Sequence, residues 1–329
     1  MQVSLFGTTP TTQLGFGCAN LMGRLSRRES LRLLDVAFDS GIRHFDTAPL
    51  YGFGEAESAL GDLLKSCRDR VTVATKFGIS PPKRSATLTA AKSAARAVIA
   101  VFPQLRRRIR RRADQMVMKS CFTVSECRQS LHNSLRELRT DYIDILLMHE
   151  VSPGQITPEL VDFLEDATRQ GLIRHFGTAT TAQETISIRS QGPAIGEIAQ
   201  FPNSIFENVL DEFPHQNTAI ITHSSLGLGF RALAKKLQSD RELLTMWSRD
   251  LGFNCADLSK VGTLLLYAAM KENSNGIVLF SSLNEKNIRQ NAALMSEQAA
   301  SERQLLVVKR LVLDFLRQVT TAGCGHLSQ

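Results

Sequence analysis

The stretch Leu138-Arg-Thr-Asp-Tyr-Ile-Asp-Ile-Leu-Leu-Met-His149 decides the fold. Its apolar run over 142–149 is short and nearly continuous, as in a strand buried on both faces. Helical spacing precedes it over 125–138 and follows it over 157–170, and a second strand reads over 173–178. Strand, helix and strand in that order imply a parallel sheet with helices on both faces.

The alternation extends in both directions. Upstream, strands read at 14–18, 42–48 and 71–76, with helices at 27–40 and 55–65. Ser26 is placed to cap the first helix and Gly41 to stop it. Downstream, a helix over 181–190 precedes short strands at 198–201 and 219–223, with a loop rich in Asn and Pro between them. One helical stretch reads over 230–267, then a last strand over 276–280 and helices over 284–295 and 302–319. Eight strand candidates, most followed by a helix, favour an α/β fold closed as a (β/α)8 TIM barrel over an open sheet. No Pro/Gly linker or fixed-period repeat divides the chain, so residues 1–329 are expected to form one barrel domain. Within it, 80–119 is a helical insertion after the third strand, and 296–329 a C-terminal helix and tail.

Length and composition agree with that outline. The chain has 329 residues, 43% hydrophobic and 22% charged, which excludes wholesale disorder and a disulfide miniprotein. No transmembrane run or signal peptide is expected, and six dispersed cysteines without a Cys-x-x-Cys pair read as reduced thiols, so the expected location is cytoplasmic. The net charge of +7 is uneven: residues 80–119 carry +10 and the rest of the chain −3. The run from Arg106 to Arg112 is expected to be a solvated loop or a lid over an acidic substrate. It lacks the interleaved aromatics that single-stranded nucleic acid would want. No His or Cys spacing suits a metal and no Gly-x-Ser-x-Gly elbow occurs. Gly52-Phe-Gly54 is followed by Glu55 and not by a Rossmann fingerprint.

In a barrel, chemistry sits at the C-terminal ends of the strands. The second strand ends near Asp46 with Tyr51 shortly after, the third at Lys76, the fourth at His149 and the sixth near Gln200. Each alone has an ordinary explanation: a turn aspartate, a solvated lysine, a core histidine. Their joint placement on one rim is the signal.

Several motifs resemble those of the aldo-keto reductase family. They are Gly41-Ile-Arg-His-Phe-Asp-Thr-Ala-Pro-Leu-Tyr-Gly52 with Glu55 after it, Ala74-Thr-Lys-Phe-Gly78, the 138–149 stretch, Gly171-Leu-Ile-Arg-His-Phe-Gly177, Ser224-Ser-Leu-Gly227 and Asn284-Glu-Lys-Asn-Ile-Arg-Gln-Asn291. The resemblance implies a tetrad of Asp46, Tyr51, Lys76 and His149 that interconverts an aldehyde, ketone or sugar carbonyl with an alcohol. Lys76 would lower the pKa of the Tyr51 phenol, Asp46 would hold Lys76, and His149 would donate to the substrate oxygen.

The implied hydride carrier is NADP(H) or NAD(H), held by Thr180, Gln200, His223, Ser224, Leu226, Ser281, Ser282, Asn284 and Asn291. The chain departs from the family pattern at Ala179-Thr180, at His223 in place of a stacking aromatic, and at Ser281 and Asn287 in place of a Lys and an Arg. The last two remove the charge-assisted contacts behind a strict NADP preference. The implied partner is a small carbonyl or alcohol, with no membrane, no nucleic acid, and a monomer or small homo-oligomer. The departures keep an alternative in view, a catalytically weak barrel serving binding or regulation.

Overall fold

The computed structural model describes residues 2–5, 9–23, 25–79, 120–190, 195–213 and 218–324. The basic insertion over 80–119, with its Arg106–Arg112 run, lies outside the described residues.

Eight parallel strands close into one barrel: β3 (Leu14–Gly17), β4 (His44–Asp46), β5 (Thr72–Phe77), β6 (Ile143–His149), β7 (Ile173–Ala179), β8 (Ile198–Pro202), β9 (Ala219–His223) and β10 (Ile277–Phe280). β10 pairs with β3 to complete the ring. The expected (β/α)8 architecture is therefore present. Its interior is filled, with Ala74, Ile145, Leu147, Ile198, Ile221, Ile277 and Leu279 forming one buried cluster. A larger apolar layer lies between the strands and the helices.

A short antiparallel hairpin, β1 (Gln2–Leu5) with β2 (Thr9–Thr12), precedes the barrel and was not expected. Its strands are four residues each, and although Gln2-Val-Ser-Leu5 alternates, its partner Thr9-Pro-Thr-Thr12 has no apolar residue but Pro10 to announce a strand. It meets the N-terminal side of the barrel, where Thr11 Oγ1 lies 2.6 Å from Thr72 Oγ1 and Val3 packs on the interior cluster.

Helices alternate with the strands: α1 (Arg27–Asp39), α2 (Ala56–Cys67), α3 (Val124–Leu138), α4 (Pro158–Arg169), α5 (Ala182–Ser190), α6 (Leu228–Ser239), α7 (Arg241–Leu251), α8 (Leu258–Glu272), α9 (Glu285–Ala293) and α10 (Glu302–Cys324). Ser26 caps α1 as expected, in a reciprocal box with Glu29. The single helical stretch expected over 230–267 is instead three helices. Asp240 ends α6 in extended backbone and caps α7 by accepting from Leu243 N, and Gly252 closes α7 in the left-handed region. α10 packs on the barrel through Val308, Leu311, Val312 and Phe315.

Among the described residues no helix is long and apolar enough to cross a membrane. Cys18, Cys67, Cys127 and Cys255 are buried free thiols. Burial pushes the Cys127 thiol up to about 12, so it is inert packing and not a nucleophile.

Candidate active site

The C-terminal rim of the barrel opens into a cavity of about 450 Å³. Asp46, Tyr51, Lys76 and His149 all line it, so residues separated by up to 103 positions meet at one wall. Strand geometry explains three of the four. Asp46 is the last residue of β4, Lys76 the penultimate residue of β5 and His149 the last of β6, and these strands are neighbours in the ring. Tyr51 arrives differently, on a one-turn 3-10 segment, Tyr51–Phe53, beyond β4.

That turn depends on Gly52. Its φ is +59°, and a Cβ there would sit 2.6 Å from the Met22 Cβ and 2.9 Å from the Leu21 carbonyl oxygen. Only glycine fits both the backbone and the space.

Lys76 is 2% exposed and Asp46 4%. The Lys76 ammonium donates to Asp46 Oδ1 at 2.7 Å, to Asp46 Oδ2 at 2.8 Å and to the Thr47 carbonyl at 2.9 Å. It also lies 5.0 Å from the centroid of the Tyr51 ring. Its three N–H groups are therefore committed. Burial works against its charge, but Asp46 and Tyr51 outweigh burial and hold the ammonium above the usual lysine range. Lys76 is a fixed cation at neutral pH.

Tyr51 corrects the expectation made for it. Lys76 does pull the phenol down, as foreseen. Burial is the larger effect and Asp46 adds to it, so the hydroxyl is held above the usual phenol range. The neighbouring charges oppose one another, and desolvation decides the sign.

The His149 ring meets Tyr51 edge-on, with centroids 6.1 Å apart. Burial first, then Lys76 and His223 against an opposing Asp46, push its pKa down to about 3. The imidazole is neutral, and its Nδ1 is buried without a hydrogen-bond partner.

Of the residues singled out for a dinucleotide, Thr180, Gln200, His223, Ser224, Leu226, Ser281 and Asn291 line the same cavity. Gln200 Nε2 donates to Asp46 Oδ2 at 2.8 Å. His223 Nδ1 lies 2.9 Å from Ser224 Oγ, and Ser224 is a non-glycine residue at φ +66°. Ser281 Oγ is spent on the Gly17 carbonyl at 2.6 Å. Ser282 and Asn284 do not line the cavity. They bond one another in the turn that starts α9, where the Asn284 side chain accepts from Lys286 N.

Sequence reading missed Glu150, Thr181, Ser225, Arg231 and Leu266, which also face the cavity. Glu150 and Thr181 each lie one position beyond a residue already chosen, so a wider window at each strand end would have found them. Arg231 lies in the first turn of α6, and nothing local marks it. Ser225 is 4% exposed and its hydroxyl has no partner. Gly227, the residue before α6, supplies no side-chain cap, which leaves the helix's first N–H groups at the cavity edge.

A closed parallel barrel carrying a lysine–carboxylate pair, a phenol and a neutral imidazole at its C-terminal rim is the frame of a barrel enzyme. The model of the aldo/keto reductase family matches residues 13–305, and the chain belongs to that family. Among curated proteins, Probable aldo-keto reductase 1 of Glycine max is 26% identical over 228 residues, 67% of this chain and 57% of that protein. D-threo-aldose 1-dehydrogenase of a Pseudomonas species is 30% identical over 185 residues, 53% of this chain and 51% of that protein. The chain thus matches about half the length of these curated relatives. Among solved structures, the holo form of an aldo-keto reductase from Bacillus halodurans superposes with a TM-score of 0.67 at 18% identity, covering 94% of this chain and 95% of that one. An aldo-keto reductase from Klebsiella pneumoniae in complex with NADPH gives 0.62 at 18% identity, covering 94% of each. At such identities the structures share the fold alone.

Proposed function

We propose that this protein is an NAD(P)(H)-dependent oxidoreductase that interconverts a small carbonyl compound and its alcohol. The observation that carries the reading is the buried Asp46–Lys76 pair, with its ammonium 5.0 Å from the centroid of the Tyr51 ring and His149 beside it in one cavity wall.

Each residue has a role that follows from its surroundings. Tyr51 remains protonated across the neutral range, so it is a general acid for reduction. Lys76 cannot give up its place, because all its protons are engaged; it stabilises the phenolate left after proton transfer. Asp46 keeps that ammonium charged and oriented. His149, neutral, offers the N–H of its Nε2 tautomer to the substrate oxygen, where negative charge grows. In the oxidation direction Tyr51 takes the proton back.

A nicotinamide dinucleotide, when bound, supplies or accepts the hydride. The donor set suits it. Ser225 Oγ is an unpartnered buried hydroxyl in the wall, and the uncapped start of α6 with Arg231 in its first turn suits an anionic group. Gln200 and Thr180 would hold the carboxamide, His223 would lie beside the ring, and Ser224, Leu226, Ser281 and Asn291 would line the remainder, with Ser282 and Asn284 shaping the adjoining turn. Neither Ser281 nor Asn287 brings a cation toward a 2′-phosphate. The names of two relatives, D-threo-aldose 1-dehydrogenase and pyridoxal 4-dehydrogenase of Microbacterium luteolum (46% identical over 70 residues), support an aldehyde or sugar as the substrate class.

Fluorescence titration with NADPH and NADH, followed by turnover on a panel of aldehydes and aldoses, tests the proposal. Saturable binding of one cofactor and turnover that depends on Tyr51 are expected. Binding without turnover, unaffected by Tyr51→Phe, would favour the binding or regulatory alternative instead.

A further inference from the structure

Gln200 has two ends, and the fold dictates which faces where. The side chain is 2% exposed and its Nε2 donates to Asp46 Oδ2 at 2.8 Å. A carboxylate paired with an ammonium has lone pairs and no proton to give, so the end turned toward it is the NH2. The carbonyl Oε1 is therefore the end left to the cavity that Gln200 lines.

The bond also joins opposite sides of the ring. Three strands lie between β4 and β8 whichever way one counts around the eight. Asp46 thus receives Lys76 from the adjacent strand and Gln200 from across the barrel mouth. Lys76 holds both carboxylate oxygens from one side, and Gln200 adds a second donor from the far side that fixes the tilt of the group.

We infer that Gln200 is a positioning residue for the proton donor: acting through Asp46, it sets Lys76 against Tyr51 and links that chain to a hydrogen-bond donor on the ligand. The inference rests on the acid–base reading of Tyr51 and goes beyond it, because it assigns one amide to both the ligand and the acid. The electrostatics agree. Asp46 is among the charges that push the phenol up, and a donor on Asp46 tempers that charge.

The test uses the three tyrosines of the chain, Tyr51, Tyr142 and Tyr267. With tyrosine labelled at 13Cζ, each gives one resonance, and no cofactor or turnover is needed. In the Gln200→Leu protein the Tyr51 resonance is expected to move and to titrate at higher pH than in the wild type, while Tyr142 and Tyr267 stay in place. The turnover number is expected to fall about tenfold at every pH, the scale of one charge-assisted hydrogen bond. An unmoved Tyr51 resonance in that folded variant overturns the inference.

Gln200→Glu guards against a misfolded leucine variant. Its carboxyl can donate to Asp46 only while protonated; once ionised, the two carboxylates repel. Its rate is therefore expected to drop as pH rises through the titration of that pair, over a range where the wild type is flat. A rate that follows the wild-type profile overturns the inference as well. If the wild type turns over no carbonyl at all, the proposed function fails, and the tyrosine resonances still decide the positioning role.

Discussion

The two ends of the barrel each bury a carboxylate against cations, and they do so to different effect. At the N-terminal end, Asp144 is 0% exposed and accepts from Arg68 at 2.7 Å, from Arg174 at 2.8 Å and from Val73 N at 2.9 Å. Both guanidinium groups lie over the Tyr142 ring, 3.8 and 4.3 Å from its centroid. None of these side chains lines the rim cavity. At the C-terminal end, Asp46 and Lys76 are as well paired, but beside them His149 Nδ1 and Ser225 Oγ have no partner, and Tyr51 and His149 face open volume. A buried ion pair is therefore no mark of chemistry by itself. Gln13 Oε1 and His44 Nε2 toward the N-terminal end are also without partners, but neither residue lines the rim cavity; what separates the two ends is unfinished hydrogen bonding in a place a ligand can reach.

The sharpest way to break this contrast is to remove one oxygen atom at each end. Tyr51→Phe should lower kcat/KM by about 10²–10⁴-fold, the usual contribution of a positioned acid, and leave the thermal midpoint unchanged. Tyr142→Phe should leave the rate alone. Steady-state kinetics and a melting curve on the two proteins decide it; equal rates for Tyr51→Phe and wild type would erase the distinction.

Stability offers the next comparison. Lys76→Met strands Asp46 without a cation and should cost about 3–5 kcal/mol. Arg68→Met leaves Asp144 with Arg174 and a backbone N–H, so a loss of roughly 1–3 kcal/mol is expected. Urea midpoints at fixed pH measure both. If the arginine variant proves the less stable, then the N-terminal pair is not the better satisfied of the two.

Acid titration sharpens the contrast further. His44, at the N-terminal end of β4, is pushed down to about 4 by burial, with Asp46 opposing and Lys76 adding. The folded state keeps this ring neutral while the unfolded chain protonates it near 6.5, so the unfolded state binds more protons between those values. The contribution is complete above pH 6.5 and is lost as pH falls toward 4, by roughly 3 kcal/mol. His149, pushed down to about 3, acts in the same direction. Denaturation at pH 7 and pH 5 should show wild type weakening on acidification and His44→Leu weakening less. The Leu variant should also lose about 1 kcal/mol at pH 7, because Thr72 Oγ1 loses its 2.9 Å partner.

Much of this molecule was legible in one dimension. The eight barrel strands follow from short apolar runs alternating with helical spacing, and the two ends of α1 from Ser26 and Gly41. Asp46, Tyr51, Lys76 and His149 were legible because each sits at or just past a strand end within a recognisable motif. The β1–β2 hairpin was not, since its strands are only four residues long and the second, Thr9–Thr12, lacks apolar alternation. The three-way division of 230–267 was missed because Asp240 closes one helix while capping the next, and a lone aspartate in a helical pattern looks like solvated surface. Arg231 and Ser225 reach the cavity only through the path of the chain after β9.

Local periodicity and the five-residue step from Asp46 to Tyr51 are properties of the sequence by itself, because they concern neighbours along the chain. They were enough for the barrel, its family and the four side chains that meet in the wall of the rim cavity. Tertiary structure alone decided the direction in which the Tyr51 phenol is pushed, since that is a balance of burial against charges brought in by other strands. It alone decided the bond between Gln200 and Asp46, 154 residues apart, because two opposite strands face each other only after the ring has closed.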